Sequence, residues 1–170
     1  MILKSKAWVI ISFVLMAVIT SGCGIYSFTG ASIDGKTINI INFENRAPNV
    51  VPSLSPNLTE KVRSKILSQT GLTAVNEENA DYVMNSVITG YNVSISGLQG
   101  SAQASTNRLT ISLEVDFKNN KTPKNSFKRS FSRFADFPAS SQLQTIETQL
   151  IEEIGTQLAE DIFNKAFVNW

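Results

Sequence analysis

Histidine is absent from the chain, which removes the commonest general base and the commonest metal-ligating side chain together. Cysteine occurs once, at Cys23. No internal disulfide can form even in an oxidising compartment, so the core alone must hold the fold. Neither sign of charge dominates: 15 Lys and Arg stand against 14 Asp and Glu, leaving no global field to draw the chain onto nucleic acid. Catalytic signatures are missing too, with no G-x-S-x-G elbow, no phosphate-cradling Gly loop and no Ser-x-x-Lys pair in a catalytic setting. The adjacent carboxylates Glu152-Glu153 and Glu160-Asp161 sit on a helical pattern, where neighbours point about 100° apart and do not converge on a substrate. Nothing here nominates a catalytic or metal-binding residue, and the chain reads as a binding protein rather than an enzyme.

What is present begins at the N-terminus. Lys4 and Lys6 supply a positive segment, Ala7 to Ile19 an unbroken apolar run, and Thr20-Ser21-Gly22 a set of small residues, the layout of a secretion signal. The apolar run is shorter than the ~20 residues a helix needs to cross a bilayer, so the segment is expected to be removed. Thr20-Ser21-Gly22-Cys23 resembles a lipobox, with Thr20 where the pattern prefers Leu. The resemblance implies diacylglycerol on the Cys23 thiol, cleavage before Cys23 and acylation of the new amino terminus; this covalent acyl lipid is the one attached group expected, with no other cofactor. Several acyl chains anchor a protein firmly without spanning the membrane. Gly24 follows Cys23 and the first acidic residue is Asp34; by resemblance to sorting rules, this permits transfer to the outer membrane with the domain facing the periplasm. Residues 1–22 are thus read as signal peptide, 23–35 as a lipidated tether and 36–170 as one α+β domain.

Within that domain, Lys36 to Phe43 alternates as a strand ended by Glu44-Asn45-Arg46-Ala47-Pro48. Ser55-Pro56 opens a helix with Ser as N-cap, carrying Leu58, Val62 and Ile66 at four-residue spacing and ending at Gly71. Leu72 to Val75 is a candidate for a short extra strand, and Asp81 to Ser96 places Val87, Tyr91, Val93 and Ile95 at even spacing. Arg108 to Lys118 alternates strictly, with Leu109, Ile111, Leu113, Val115 and Phe117 on one face. Gly97 to Asn107 reads as a long hairpin loop, Asn119 to Pro123 as a tighter turn, and Ser126 to Ala135 as the last strand. From Ser140 or Ser141 almost to Trp170 runs a helix striped by Leu143, Ile146, Leu150, Ile154, Leu158 and Ile162, with Gly155 and Ala159 leaving room for close contact with the sheet or the first helix. The order β-α-β-β-β-α predicts an α+β fold: a four-stranded mixed sheet with two helices packed on one face and the other face open.

One charge feature stands out. Lys118, Lys121, Lys124, Lys128, Arg129 and Arg133 follow one another with no acidic residue between 118 and 133. Such donors suit the phosphates of an anionic glycolipid or an acidic protein wall; a merely soluble hairpin has the same composition.

Taken in order, Lys36 to Val51 (KTINIINFENRAPNVV), Leu58 to Leu72 (LTEKVRSKILSQTGL), Asn107 to Asn119 (NRLTISLEVDFKN), Phe127 to Phe137 (FKRSFSRFADF) and Ile162 to Trp170 (IFNKAFVNW) resemble the LptE-like lipopolysaccharide-assembly lipoproteins of Bacteroidetes. A strand ending in Phe-Glu-Asn also opens CsgG-like and TolB N-terminal domains, which would make the chain an accessory of a secretion or efflux channel. The LptE resemblance implies partnership with an LptD-like outer-membrane β-barrel, as plug and assembly factor, and delivery of lipopolysaccharide. It also makes Arg108, Lys118, Lys128, Arg129 and Arg133 candidates for contact with lipopolysaccharide or the barrel.

Overall fold

The computed structural model describes residues 33–49, 51–99 and 103–168. The signal segment, Cys23 and the tether up to residue 32 lie outside the described residues. Six strands and two long helices follow one another as β1 (Thr37–Ile40), β2 (Glu44–Asn45), α1 (Leu54–Thr70), β3 (Thr73–Ala74), β4 (Tyr82–Gln99), β5 (Gln103–Asn119), β6 (Phe127–Pro138) and α2 (Leu143–Phe167). The sheet runs β3-β1-β4-β5-β6, with β2 also on β4. Pairings of β1 with β3, and of β1 and β2 with β4, are parallel. The β4–β5–β6 meander is antiparallel. The sheet is mixed and the class is α+β, as expected, but it has six strands rather than four; both extra strands are two-residue pieces, one of them inside the Leu72 to Val75 candidate.

The other extra strand arises from a slip in the first one. Ile38 and Ile40 point inward, yet the next buried residue is Phe43 rather than Asn42. Between the Ile40–Met84 and Glu44–Val87 pairs the first strand spends one residue more than β4, a bulge that turns Phe43 into the core. Its freed backbone groups are taken by α1: the Phe43 N–H donates to Thr59 Oγ1 at 3.0 Å, and Ser55 Oγ donates to the Phe43 carbonyl. Ser55 is therefore occupied inside the helix, and the N-cap is Ser53 instead. Gly71 ends α1 in the left-handed region at φ 67°, a conformation glycine adopts without Cβ strain.

A second bulge changes the facing of β4. Tyr82, Met84, Ser86 and Ile88 face the core. Ile88 pairs with Leu113 and Gly90 with Ser112, so Thr89 is an extra residue and the buried parity switches to Tyr91. Val87, grouped with Tyr91 by even spacing, lies on the opposite face beside Glu114. Further along, pairing continues through Gly97–Thr106 and Leu98–Ala104 to Gln99–Gln103. The stretch read as a long loop is therefore mostly ladder. Burial already lapses just before it, with Val93 and Ile95 45% and 64% exposed, and the register shifts beside Gly97 interrupt the ladder, so its sequence carries no alternation to read.

Leu109, Ile111, Leu113, Val115 and Phe117 are fully buried against Leu58, Val62 and Ile66 of α1 and Ile154, Leu158 and Ile162 of α2, in one cluster. At one end Phe117 stacks between Tyr82 and Phe127, with Phe167 edge-on at 5.5 Å. The two helices meet where Gly155 lies: a Cβ there would come within 3.2 Å of Leu58 Cδ2. The close contact expected of Gly155 is thus with α1. Replacing Gly155 by Val should push the helices apart and lower stability by about 1–3 kcal/mol, read as a reduced urea midpoint; exposed Thr156→Val should leave the midpoint unchanged.

Candidate functional site: the charged faces of the meander

Alternation along β5 and β6 sorts the candidate cations onto two surfaces. Arg108, Lys118 and Lys128 fall on the open face of the sheet, whereas Arg129 and Arg133 share the helix side with buried Ala135 and Phe137. On the open face Arg108 makes a two-pronged contact with Asp136, Nε to Oδ1 at 2.7 Å and Nη2 to Oδ2 at 2.8 Å, and lies 3.6 Å over the Phe134 ring. The bidentate geometry explains why the Asp136 carboxyl is held below its ordinary range, first by the Arg108 hydrogen bond. Lys128 Nζ reaches Glu114 at 2.9 Å, and the Ser112 and Ser132 hydroxyls meet at 2.9 Å. On the helix side Arg133 clasps Asp161 of α2 at 2.5 and 2.6 Å, and Arg129 lies 5.9 Å from the Phe131 ring. Lys118 and Arg129 make no ion pair among the described residues, and Lys124 makes none either.

The basic run is therefore not one continuous patch. Three of the five candidates, Arg108, Lys128 and Arg133, each have an acid of a neighbouring element as partner, and Lys121 is bound to Asp81 at 3.0 Å. The acids on α2 behave likewise: Glu152 pairs with Lys61 and Glu160 with Lys65 across the helix seam. Exposed pairs of this kind orient side chains more than they stabilise the fold. Among the described residues no group of acidic or sulfur ligands gathers for a metal, and no helix is long and apolar enough to cross a membrane.

Two polar clusters escaped sequence reasoning. Asp81 Oδ2 accepts the N–H groups of Lys36 and Thr37 at 2.7 and 3.2 Å, while its own N–H donates to Thr37 Oγ1 at 3.0 Å. Beside it the Gly35 N–H donates to Tyr82 Oη at 3.1 Å, and a Cβ at Gly35 would fall 2.3 Å from the Tyr82 ring. Asp81 thus ties the first described strand to the start of β4. The Lys36 amide, then Lys121, depress its carboxyl from 3.8 to about 2. Farther along, Tyr91 Oη meets Glu147 Oε1 at 2.6 Å, fastening α2 to β4; burial first, then Glu147, raises the phenol above its ordinary value. Neither cluster has a local signature, since its partners are 44 to 56 residues apart in sequence.

Residues 35–166 match the family model described as LptE, lipopolysaccharide-assembly. The chain belongs to the LptE family. LptE membership gives it a role in lipopolysaccharide assembly, and that family is one of assembly factors rather than enzymes. No curated protein matches the chain. Among solved structures, the rare lipoprotein B of Shewanella oneidensis is 15% identical with a TM-score of 0.53, over 76% of this chain and 92% of that one. A minor lipoprotein of Acinetobacter baumannii is 16% identical with a TM-score of 0.52, over 78% and 93%. A hypothetical protein of Chlamydia trachomatis is 10% identical with a TM-score of 0.55, over 79% and 98%. At these identities the likeness is one of fold, and the LptE-like α+β architecture extends across the domain.

The Asp81 cluster makes a pH prediction. A carboxyl whose folded value lies below its unfolded value stabilises the fold above the ordinary carboxylate range and loses that contribution as pH falls from about 4 to 2. Asp81→Asn should lower the melting temperature at pH 7, and the gap from the parent protein should close as the pH is brought down toward 2 in parallel thermal melts.

Proposed function

We propose that the mature protein begins at an acylated Cys23, is held on the inner leaflet of the outer membrane, and partners an LptD-like β-barrel as plug and assembly factor for lipopolysaccharide insertion. The observation that carries this reading is the family match over residues 35–166, joined to a sheet whose open face is largely polar and ion-paired, its exposed Phe134 covered on one side by Arg108. A domain placed in a wet barrel lumen needs such a surface, because neither partner then exposes a sticky face before they meet. The acyl anchor adds a high effective concentration of the domain near the barrel.

Among the candidate contact residues Arg108, Lys118, Lys128, Arg129 and Arg133, the two without an ion pair among the described residues have their charge available for lipopolysaccharide phosphates or acidic barrel groups. These are Lys118 and Arg129. Lys128 and Arg133 would first have to leave Glu114 and Asp161.

Affinity purification of the detergent-extracted, tagged full chain tests the partnership: the barrel should co-purify, and a homo-oligomer without a barrel would overturn the reading. Mass spectrometry of the same sample should find acyl chains on Cys23; an unmodified thiol on a freely soluble mature form would remove the anchor. Lys118→Glu with Arg129→Glu should leave the unfolding free energy within about 0.5 kcal/mol of the parent, read from urea titrations, while weakening the outer-membrane barrier to large antibiotics. An intact barrier in that double variant would exclude these two residues as contacts.

A further inference from the structure

We propose that the free edge of β6 receives an extended acidic segment of another protein, which joins the sheet as an additional strand. β6 pairs with β5 from Phe127–Phe117 to Pro138–Thr106 in one unbroken register. Among the described residues no strand lies on its other side. Its 12 residues carry no proline before the last position. A long edge without a bulge presents a row of backbone donors and acceptors in strand geometry. The opposite edge of the sheet is β3, only two residues long, which offers no comparable template.

The occupant is chosen by charge. Alongside the edge, Arg129, Phe131 and Arg133 of β6 with Asp161 and Lys165 of α2 line an open groove of about 340 Å³. Asp161 neutralises Arg133. Arg129 and Lys165 have only ring contacts, at 5.9 Å from Phe131 and 5.6 Å from Phe127, so the groove keeps an excess of two positive charges. A second copy of β6 would bring Lys128, Arg129 and Arg133 against their own kind, which disfavours edge-to-edge self-association. An incoming strand with carboxylates every second residue on its helix-facing side meets the opposite situation. Arg129 of β6 and Lys165 of α2, the two groove cations without an ion pair among the described residues, are the charges such carboxylates would meet. On the other side of the edge Ser130 and Ser132 are small, and Phe134 is 46% exposed, so the added strand finds room and an apolar contact there.

The test uses the full acylated chain in detergent micelles and a synthetic nine-residue peptide alternating Glu with Thr. Fluorescence anisotropy should show binding that weakens with added salt, and no binding of the Lys-for-Glu peptide. Arg129→Glu with Lys165→Glu should weaken the acidic peptide by roughly three- to tenfold, and the Gln versions by less. Main-chain pairing is read separately: N-methylation of one alternate set of peptide amides should abolish binding and methylation of the other set should spare it, while alternate β6 amides gain protection from hydrogen exchange. Absence of binding, indifference to the charge variants, or equal tolerance of both methylated sets would each overturn the proposal. Because the probe is a synthetic strand, none of these results bears on whether the barrel co-purifies.

Discussion

Leu109, Ile111, Leu113, Val115 and Phe117 form a single row along β5 that is wholly withdrawn from water, and the other elements take their positions from it. Burying each such side chain contributes about 1.5–3 kcal/mol. A one-residue slip of β5 would expose all five and bury Thr110, Ser112, Glu114 and Asp116 instead. The register with β4 and β6 is therefore set by the core rather than by the connecting turns. Two of the sheet's irregularities serve the same constraint: the extra residue before Phe43 and the extra residue at Thr89 each return an aromatic side chain to the helix side of the sheet.

The charged residues follow from that arrangement. With one face of the sheet sealed by α1 and α2, each cation on β5 or β6 either faces open solvent or rims the helix layer. Acids on adjacent elements meet three of these five, Arg108, Lys128 and Arg133, so a segment that is continuously basic in sequence is partly neutralised in space. Linear charge density was a poor guide here because strand pairing brings Glu114 and Asp136, distant in sequence, beside Lys128 and Arg108. What survives without an ion pair in that run, among the described residues, is Lys118, Lys124 and Arg129.

Those elements whose residues answer to one dominant force were legible in the sequence. The strict alternation of β5 and the long stripe of α2 exist because each has one buried side; the helix bounds are close to those expected, whereas β5 begins at Gln103, five residues before the expected Arg108. The Gly71 stop follows from the left-handed backbone that ends α1. Less legible were features decided by contacts between distant segments: the Ser53 cap, displaced because Ser55 serves Phe43; the outward turn of Val87; and the continuation of the β4–β5 ladder past the helices. Of the candidate site, residue identities could be read, but not their division between two faces of the sheet. Asp81 gave no signal as a polar anchor, since its role depends on the amides of Lys36 and Thr37, 45 and 44 residues earlier in the chain.

Tyr82 receives the Gly35 amide on its hydroxyl and the Phe167 ring on its edge at 5.5 Å, so both described ends of the domain gather at one end of β4. From there the β4–β5 ribbon runs away for 18 residues to Gln99, on the order of 50 Å of strand. A domain with this layout is a cantilever, clamped where its described chain enters and leaves. Past the Thr106–Pro138 pair, where β6 stops, only the β4–β5 ladder continues, so an orientation fixed at the Tyr82 end is carried to the Gln99–Gln103 pair through two strands alone, across the register shifts beside Gly97.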